Sequence, residues 1–456
     1  MTGHIWFRQY DPGVPRTIGT YPERTLLDYP AGGGRLMRLI STRRLVRVLV
    51  VAALALAASG IACVRVPAGN DARPTQRVVL ISLDGFRWDY VDRPPAVRIR
   101  ELAARGVRAE RMLPAFPSKT FPNHYTLVTG LDPEEHGIVA NVMKDPVLGT
   151  FWLIDTLAQR DPRWWGGEPI WVTAEKQGRR AATYFWPGSE ARIKGVAPTW
   201  WQPYDHSRPH AARIAQVLEW LALPVDSAPA LITLYFSDAD DAGHANGPMS
   251  PATDSAIARV DSAVGAIVDG IARLGLTDVV NVIVVADHGM TETSIDRVIV
   301  LDDYIDLSTV DVVDWTPVAA IVPRSGDETR VYAALKGRHT SLQVYRKGEV
   351  PARFRFNDHP RITPIVAIAD EGWTIIERAW LDRWRAAGAK SGGAHGYDPA
   401  LTSMGAVFVA AGPGVARGRM VAPFRNVHVY PLLAHLLSVR PAPNSGSLDS
   451  VRLILR

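Results

Sequence analysis

Carboxylate and imidazole side chains stand at positions typical of a catalytic metal centre. Donors of this kind, without thiolates, suit a zinc site that keeps one position open for substrate. Asp240 and His244 are four residues apart, so one helical turn would place them on the same side. A single zinc with an open position cannot use the whole set, which instead fits two zinc ions that share a phosphate. The six candidates are Asp84, Asp240, His244, Asp287, His288 and His395.

Each of these short patterns has an ordinary structural explanation when it is taken alone. An isolated Asp-x-x-x-His pair is more often found on a surface than at a metal, and Asp-His-Gly is more often a turn. The prediction of a metal centre therefore rests on the whole set.

Thr120 is the candidate nucleophile. It lies in the segment Pro-Ser-Lys-Thr-Phe-Pro-Asn-His at 117–124, which predicts the start of a helix. Unpaired backbone N–H groups at a helix start favour a phosphate oxygen, and a zinc ion can deprotonate a nearby hydroxyl at neutral pH. The alternative for Thr120 alone is a helix cap.

The elements that would position these residues have an α/β pattern. Apolar runs predict buried strands at 78–83, 230–236, 281–286 and 406–410, and helices are expected around 211–222, 252–274 and 428–438. Strands that alternate with helices imply a mostly parallel sheet with helices on both faces. Ligands bind beyond the carboxyl ends of such strands, and three of the runs lead into the candidate acids. Residues 296–395 have shorter, irregular strands and several prolines, and they predict an inserted subdomain.

Composition and charge exclude several other classes. The 456 residues are 47% hydrophobic and 21% charged, as expected of a globular enzyme. The net charge of +5 arises within residues 1–63, which hold eight Arg and three acidic residues. Because the rest of the chain is formally neutral, we expect no binding to duplex nucleic acid.

The amino terminus predicts export. Arginines between Arg35 and Arg47 precede an apolar run at 48–58, which is typical of a signal segment, although a single membrane anchor is the alternative. Met37 is an alternative start to Met1. Cys63, the sole cysteine, is either a lipoprotein-type anchor or follows a cleavage after Ala62. Residues 64–75 are predicted to form a linker. Because the amino terminus predicts export, the protein would be periplasmic or held at a membrane facing outward.

Several blocks of sequence resemble the nucleotide pyrophosphatase/phosphodiesterase family of the alkaline phosphatase superfamily. The longest reads Phe-Pro-Ser-Lys-Thr-Phe-Pro-Asn-His-Tyr at 116–125, and the resemblance spans roughly 76–450 in order. It implies a three-layer sandwich with a mostly parallel central sheet and a small inserted subdomain. The other blocks are 129–138, 185–190, 239–244, 286–290, 393–398, 426–430 and 442–446.

The resemblance also implies roles for individual residues. Thr120 would be the nucleophile, and Asn141 would donate to a phosphate oxygen. Phe121 and Tyr204 resemble an aromatic pair that holds a nucleobase, although packing beside a pocket mouth would also explain them. The family pattern Asp-x-x-Gly-His selects Asp240, and Asp241 stands where a small polar residue is usual. One zinc would be held by Asp84, Thr120, Asp287 and His288, and the other by Asp240, His244 and His395.

The implied activity is hydrolysis of nucleotide-type phosphodiester or pyrophosphate bonds through a covalent threonine intermediate. Three alternatives stay open: a lysophospholipid or glycerophosphodiester phosphodiesterase, a phosphomonoesterase, and a metal-binding protein without catalysis. His124 and His136 lie inside family-like blocks and are interpreted as structural. The sequence leaves the physiological substrate and the oligomeric state open.

Overall fold

A computed structural model describes residues 76–324, 326–389 and 391–456. The predicted leader at 1–63, the alternative start Met37, the candidate lipid anchor Cys63 and the linker at 64–75 all lie outside the described residues. Within the described residues, no helix combines the length and the apolarity needed to cross a membrane.

Strands and helices alternate along the described chain. The strands are β1 Arg77–Leu83, β2 Val107–Ala109, β3 Met112–Leu113, β4 Val142–Asp145, β5 Gly149–Trp152, β6 Ala181–Tyr184, β7 Trp200–Gln202, β8 Leu231–Phe236, β9 Val280–Val285, β10 Thr291–Ser294, β11 Val298–Val300, β12 Val310–Asp314, β13 Val318–Pro323, β14 Leu342–Arg346, β15 Ile365–Ala369, β16 Thr374–Ile376, β17 Ser391–Ala394, β18 Phe408–Ala411, β19 Arg419–Val421 and β20 Phe424–Arg425. The α-helices are α1 Val97–Arg105, α2 Thr120–Thr129, α3 Pro133–His136, α4 Thr156–Arg160, α5 Ile170–Lys176, α6 His210–Ala222, α7 Asp238–Asn246, α8 Pro251–Arg273, α9 Glu328–Leu335, α10 Arg378–Ala386 and α11 Val429–Leu436.

The main sheet has eight strands in the order β19-β2-β18-β9-β1-β8-β6-β7. Strands β9, β1, β8, β6 and β7 run parallel to one another. Strand β18 runs antiparallel to both of its neighbours, β9 and β2. The predicted α/β class with a mostly parallel sheet is confirmed, and the antiparallel β18 makes the sheet mixed.

The central strands form where the sequence has continuous apolar runs. Every residue of β1, β8 and β9 is buried, so both faces of the sheet are covered. The predicted helix around 252–274 is α8, which begins after Ser250 with a proline in its first turn. The Ser250 side chain accepts a hydrogen bond from the Thr253 N–H. Ile257, Val260 and Val264 are buried on the side that faces the core.

A second, four-stranded antiparallel sheet has the order β12-β13-β15-β14. Its strands contribute to a second apolar cluster, which includes Ile321, Val344 and Ile365. Arg361 joins this region to the main domain, since its guanidinium is buried and donates to the carbonyls of Gly137 and Trp164 at 2.7 Å. All four strands lie within residues 296–395, and the predicted bounds of that subdomain stay a prediction.

Candidate active site

Three neighbouring strands of the main sheet end at the candidate acids. In the order β9-β1-β8, the strands lead into Asp287, into Asp84 and into the start of α7, which carries Asp240. Gly85 allows this convergence because its φ is +64°, and a Cβ there would meet the Cα of Asp240 at 3.0 Å. The Gly85 N–H also donates to Asp287 Oδ1 at 3.2 Å, so a single turn links all three strand ends.

Asp84, Asp287 and His288 form the first donor group. One ligand atom from each lies within 4.8 Å of the others, and all three residues are buried. His288 Nε2 is 2.9 Å from Asp287 Oδ2 and 3.5 Å from Asp84 Oδ1. The turn that follows β9 therefore aims both of its side chains at the end of β1.

Asp240, His244 and His395 form the second donor group, again with ligand atoms within 4.8 Å of one another. Asp240 Oδ1 is 3.4 Å from His244 Nε2 and 3.6 Å from His395 Nε2. The two groups adjoin, because the imidazole rings of His288 and His395 stack with centroids 3.6 Å apart and an interplanar angle of 10°. The structure thus brings all six predicted ligands into one centre.

Backbone carbonyls set the tautomers of the three histidines. His244 Nδ1 contacts Gly393 O at 2.8 Å, His288 Nδ1 contacts Gly289 O at 2.8 Å, and His395 Nδ1 contacts Ser118 O at 2.9 Å. A carbonyl only accepts, so each Nδ1 carries the proton and donates it. Each Nε2 then turns toward the carboxylates, as expected of a metal-ligating imidazole with a supporting hydrogen bond.

The carboxylate oxygens also fit a metal centre. Asp84 Oδ1, Asp240 Oδ1 and Asp287 Oδ2 are buried and have no hydrogen-bond partner among the described residues. A buried oxygen in this state is costly unless a cation satisfies it. Because imidazole nitrogens and carboxylates without thiolates suit catalytic zinc, the residues present fit a two-metal centre.

Electrostatics at the centre favour added positive charge. Burial raises the pKa of Asp240 to about 8, with Asp241 and Asp287 adding to the shift against the opposing effect of His288. Burial, together with Asp287 and Asp240, also holds the pKa of Asp84 well above its usual range. Burial alone would lower the pKa of His288, yet Asp287 and Asp240 raise it overall. Each shift reports carboxylates crowded where water does not reach.

Thr120 lies at the first position of α2, directly after Lys119 at the N-cap. The helix-cap explanation of Thr120 is therefore wrong, since its side chain does not occupy the capping position. Its Oγ1 is 3.4 Å from His288 Nε2, at the edge of the first donor group. The Thr120 hydroxyl thus lies at a helix N-terminus and beside the first donor group, a position compatible with the predicted attack on phosphate.

Asn141 is held directly beside the start of α2. Its Oδ1 accepts the Phe121 N–H at 2.9 Å, which leaves the amide N–H groups to serve as donors. Leu153 N donates to the Asn141 carbonyl at 3.1 Å and fixes the backbone of this residue. The predicted role as a phosphate donor is compatible with this orientation.

Phe121 and Tyr204 belong to separate aromatic clusters. The Phe121 ring packs against Phe151 and Trp165, with centroids 5.8 and 6.2 Å away. The Tyr204 ring packs against Phe185 at 5.3 Å and is 45% exposed. Each ring therefore has structural neighbours of its own, and the nucleobase-binding role of the pair stays a prediction.

Sequence reasoning missed the residues that support the ligands. Tyr235 donates its hydroxyl to Asp84 Oδ2 at 2.6 Å, and the pairing of β1 with β8 places it opposite Ser82. His124 connects Ser82 to α2, with Nε2 2.8 Å from Ser82 Oγ and Nδ1 2.9 Å from Thr120 O. His124 and His136 lie outside both donor groups. The register of adjacent parallel strands is the signal that could have pointed to Tyr235.

A protein-family model described as type I phosphodiesterase / nucleotide pyrophosphatase matches residues 78–398. Human ectonucleotide pyrophosphatase/phosphodiesterase family member 5 is 38% identical over 383 residues, covering 83% of this chain and 78% of that protein. Mouse family member 3 is 36% identical over 403 residues. That alignment covers 86% of this chain and 45% of the mouse protein, so the chain spans less than half of this relative's length.

Solved structures agree with the sequence comparisons. Murine ectonucleotide pyrophosphatase/phosphodiesterase 5 superimposes with a TM-score of 0.79 at 39% identity, over 84% of this chain and 100% of the murine chain. A second structure of that murine protein, an inactive threonine-to-alanine variant in complex with AMP, matches with the same TM-score of 0.79.

Proposed function

Because the chain belongs to the type I phosphodiesterase / nucleotide pyrophosphatase family, we propose that it hydrolyses nucleotide-type phosphodiester or pyrophosphate bonds with Thr120 as nucleophile. The observation that carries the proposal is the position of Thr120 Oγ1, 3.4 Å from a ligand of the first donor group. Residues 76–450 would form the catalytic domain, with 296–395 as its inserted part.

The two donor groups would hold two zinc ions. Asp84, Asp287 and His288, joined by Thr120, would hold one, and Asp240, His244 and His395 would hold the other. Bound ions would acidify the Thr120 hydroxyl and a water molecule, and would neutralise charge on the phosphate. Zinc is proposed because of the mixed imidazole and carboxylate donors.

The position of Thr120 supports covalent catalysis. Its hydroxyl loses a proton, and Oγ1 attacks the phosphorus in line with the leaving oxygen. The Oγ–P bond forms as the P–O bond to the leaving group breaks, and that oxygen departs with the electron pair. Water then attacks the same phosphorus, which releases the nucleoside monophosphate and restores the threonine hydroxyl.

Substrate orientation would come from the nucleophile helix and its neighbours. The Asn141 amide would donate to a non-bridging phosphate oxygen, because its own oxygen is held by the Phe121 N–H. The Phe121 side would receive the nucleobase, with Tyr204 at the exposed rim. The AMP complex of the murine relative supports a nucleotide-like ligand.

The alternatives differ in what they require of this centre. A phosphomonoesterase needs a positive side chain for the third phosphate oxygen, and the lysine beside the nucleophile is instead paired with Asp314. A lysophospholipid or glycerophosphodiester substrate would need a tail channel, in place of a slot for a nucleobase, beside Phe121 and Tyr204. Export, with a free periplasmic or a Cys63-anchored form, also remains a proposal, consistent with relatives named as ectoenzymes and venom enzymes.

The test compares kcat/KM for p-nitrophenyl thymidine monophosphate with that for p-nitrophenyl phosphate, with zinc present. We expect a diester preference of about a hundredfold, or about 2.7 kcal/mol of transition-state discrimination. Thr120→Ala should abolish hydrolysis of the diester, while Thr120→Ser, which keeps a hydroxyl, should retain measurable turnover. A preference for the monoester would reject the substrate class, and full activity of Thr120→Ala would reject the nucleophile.

A further inference from the structure

The guanidinium of Arg361 connects the region of the second sheet with three segments of the main domain. Arg361 lies four residues before β15, and its side chain is almost fully buried. Its Nε donates to Asp145 Oδ2 at 2.8 Å. One terminal nitrogen donates to the carbonyls of Gly137 and Trp164 at 2.7 Å, and the other donates to the Arg163 carbonyl at 3.1 Å. A single buried side chain therefore fixes the chain at 137, at 145 and at 163–164.

These segments carry the aromatic rings that support Phe121. Asp145 ends β4, and the paired strand β5 carries Phe151. The Phe121 ring centroid is 5.8 Å from that of Phe151 and 6.2 Å from that of Trp165. The Phe151 ring packs in turn against Trp164 and Trp165, with centroids 5.3 and 5.8 Å away. The rings of Phe151, Trp164 and Trp165 thus form an aromatic wall behind Phe121.

Arg361 contacts this wall directly as well as through the backbone. Its Cζ lies 4.5 Å from the centroid of the Trp164 ring, so a cation–π contact adds to the four hydrogen bonds. A guanidinium can serve these acceptors together because its five N–H donors form a fixed planar fork, whereas a lysine has one nitrogen. Buried carbonyls that lose their donor are costly, so without the fork the segments at 137 and 164 would move to find new partners.

The phosphate-handling residues are fixed by other contacts. Asn141 lies between two of the anchored points, but its side chain accepts the Phe121 N–H and its carbonyl accepts the Leu153 N–H. The six candidate metal ligands all lie outside 137–145 and 163–165. A change at Arg361 should therefore disturb the aromatic wall more than the metal centre.

From these contacts we propose that Arg361 is a positioning residue for substrate recognition. By fixing the aromatic wall behind Phe121, it sets the preference for diesters whose retained half is a nucleoside over diesters without a base. This inference rests on the function proposed above, in which the Phe121 side receives the nucleobase. The physical reason is that a base binds to an aromatic ring by stacking, which depends on how the ring is held.

The test uses two diesters with the same leaving group. p-Nitrophenyl thymidine monophosphate retains a nucleoside, whereas methyl p-nitrophenyl phosphate retains only a methyl group. For the zinc-loaded wild type, we expect kcat/KM to be at least about tenfold higher for the nucleoside ester. Arg361→Lys, which keeps the charge and loses the fork, should lower this ratio by about tenfold, mainly through a higher KM for the nucleoside ester. Arg324→Lys is the matched control, because this exposed arginine pairs with Asp311 and should change the ratio by less than about twofold.

Asp145→Asn is a second variant, which removes the carboxylate charge that Arg361 binds and leaves the guanidinium in place. It should lower the ratio in the same direction, and the double variant should fall short of the product of the two single effects, since both act through one contact. Every variant should hold as much zinc as the wild type. If Arg361→Lys does not fold, the ratio for Asp145→Asn decides the question.

Binding gives a readout that does not depend on turnover. The calorimetric Kd for TMP should be about tenfold weaker in Arg361→Lys, while that for inorganic phosphate should change by less than about twofold. No wild-type preference for the nucleoside ester, an equal loss of activity on both esters, or an unchanged ratio in both variants would overturn the inference while the diesterase stands. Absence of Thr120-dependent hydrolysis of either ester would instead remove the proposed function and the inference with it.

Discussion

The hydroxyl of Tyr235 donates to Asp84 Oδ2 at 2.6 Å, and this bond turns Asp84 Oδ1 toward His288. Tyr235 lies on β8 and Asp84 directly follows the neighbouring parallel strand β1, and both residues are buried. Such an outer contact orients a ligand without touching substrate. Tyr235 is therefore a positioning residue whose effect should appear in metal affinity.

We expect Tyr235→Phe to weaken zinc binding by roughly 10- to 100-fold, because Asp84 loses the bond that holds its carboxylate. Activity measured against buffered free zinc should shift to higher metal concentration, with kcat at saturation largely recovered. Tyr90→Phe is the matched control, since its buried hydroxyl donates to Pro248 O at 2.8 Å and not to a ligand. Equal zinc affinity in wild type and Tyr235→Phe would contradict this role.

Removal of metal should lower both activity and thermal stability. Asp84, Asp240 and Asp287 bring together buried oxygens that have no hydrogen-bond partner among the described residues, so bound zinc would stabilise the folded state by mass action. We expect two zinc ions per chain by elemental analysis and a fall in Tm on chelation. His395→Ala should bind one ion, whereas His339→Ala, outside both donor groups, should bind two. A His395→Ala protein that still holds two ions would rule out the second site as assigned.

Asn141 should act mainly on turnover. Asn141→Ala removes the amide that we propose donates to the phosphate, and loss of one such preorganised donor costs about 10²- to 10³-fold in kcat. The effect on KM for the nitrophenyl ester should be small, because the donor acts most strongly on the transition state. Asn246→Ala, which alters an exposed asparagine of α7, serves as control. A large rise in KM with unchanged kcat would show that Asn141 binds only the ground state.

His136 should make stability depend on pH. Burial lowers its pKa to about 3, and its Nδ1 accepts the Ile138 N–H at 3.1 Å, a bond that protonation at Nδ1 would break. In the unfolded chain His136 takes up a proton near pH 6.5, whereas in the folded chain it stays neutral until about pH 3. The free energy of unfolding therefore decreases as pH falls from about 6.5 toward 3.

Denaturant unfolding at pH 7 and pH 5 measures this contribution. In wild type the free energy of unfolding should fall by up to about 1.4 kcal/mol per pH unit from this residue alone. His136→Gln, which cannot titrate, should lose that part of the slope although it is less stable at pH 7. Parallel pH dependences in the two proteins would exclude His136 as the source.

The sequence alone supported the α/β class because buried parallel strands are continuous apolar runs, as at 78–83 and 281–286. It also indicated the strand-end acids, since polar residues directly after such runs are poor core residues and good ligands. The apolar run at 406–410, which leads into β18, has the same pattern as the parallel strands, although β18 pairs antiparallel to β9. A hydrophobic run reports burial and carries no information on strand direction.

Tertiary structure decided everything that depends on contact between distant segments. Residue types and the family resemblance predicted His395 and Thr120 as site residues. Only packing stacks His395 on His288 and places the carbonyl of Ser118 within hydrogen-bond distance of His395 Nδ1. The pairing of Lys119 with Asp314, 195 residues further along the chain, leaves no local pattern in the sequence. The physical reason is that local periodicity encodes which residues are buried, whereas hydrogen-bond and charge partners are chosen by how separately formed elements pack together.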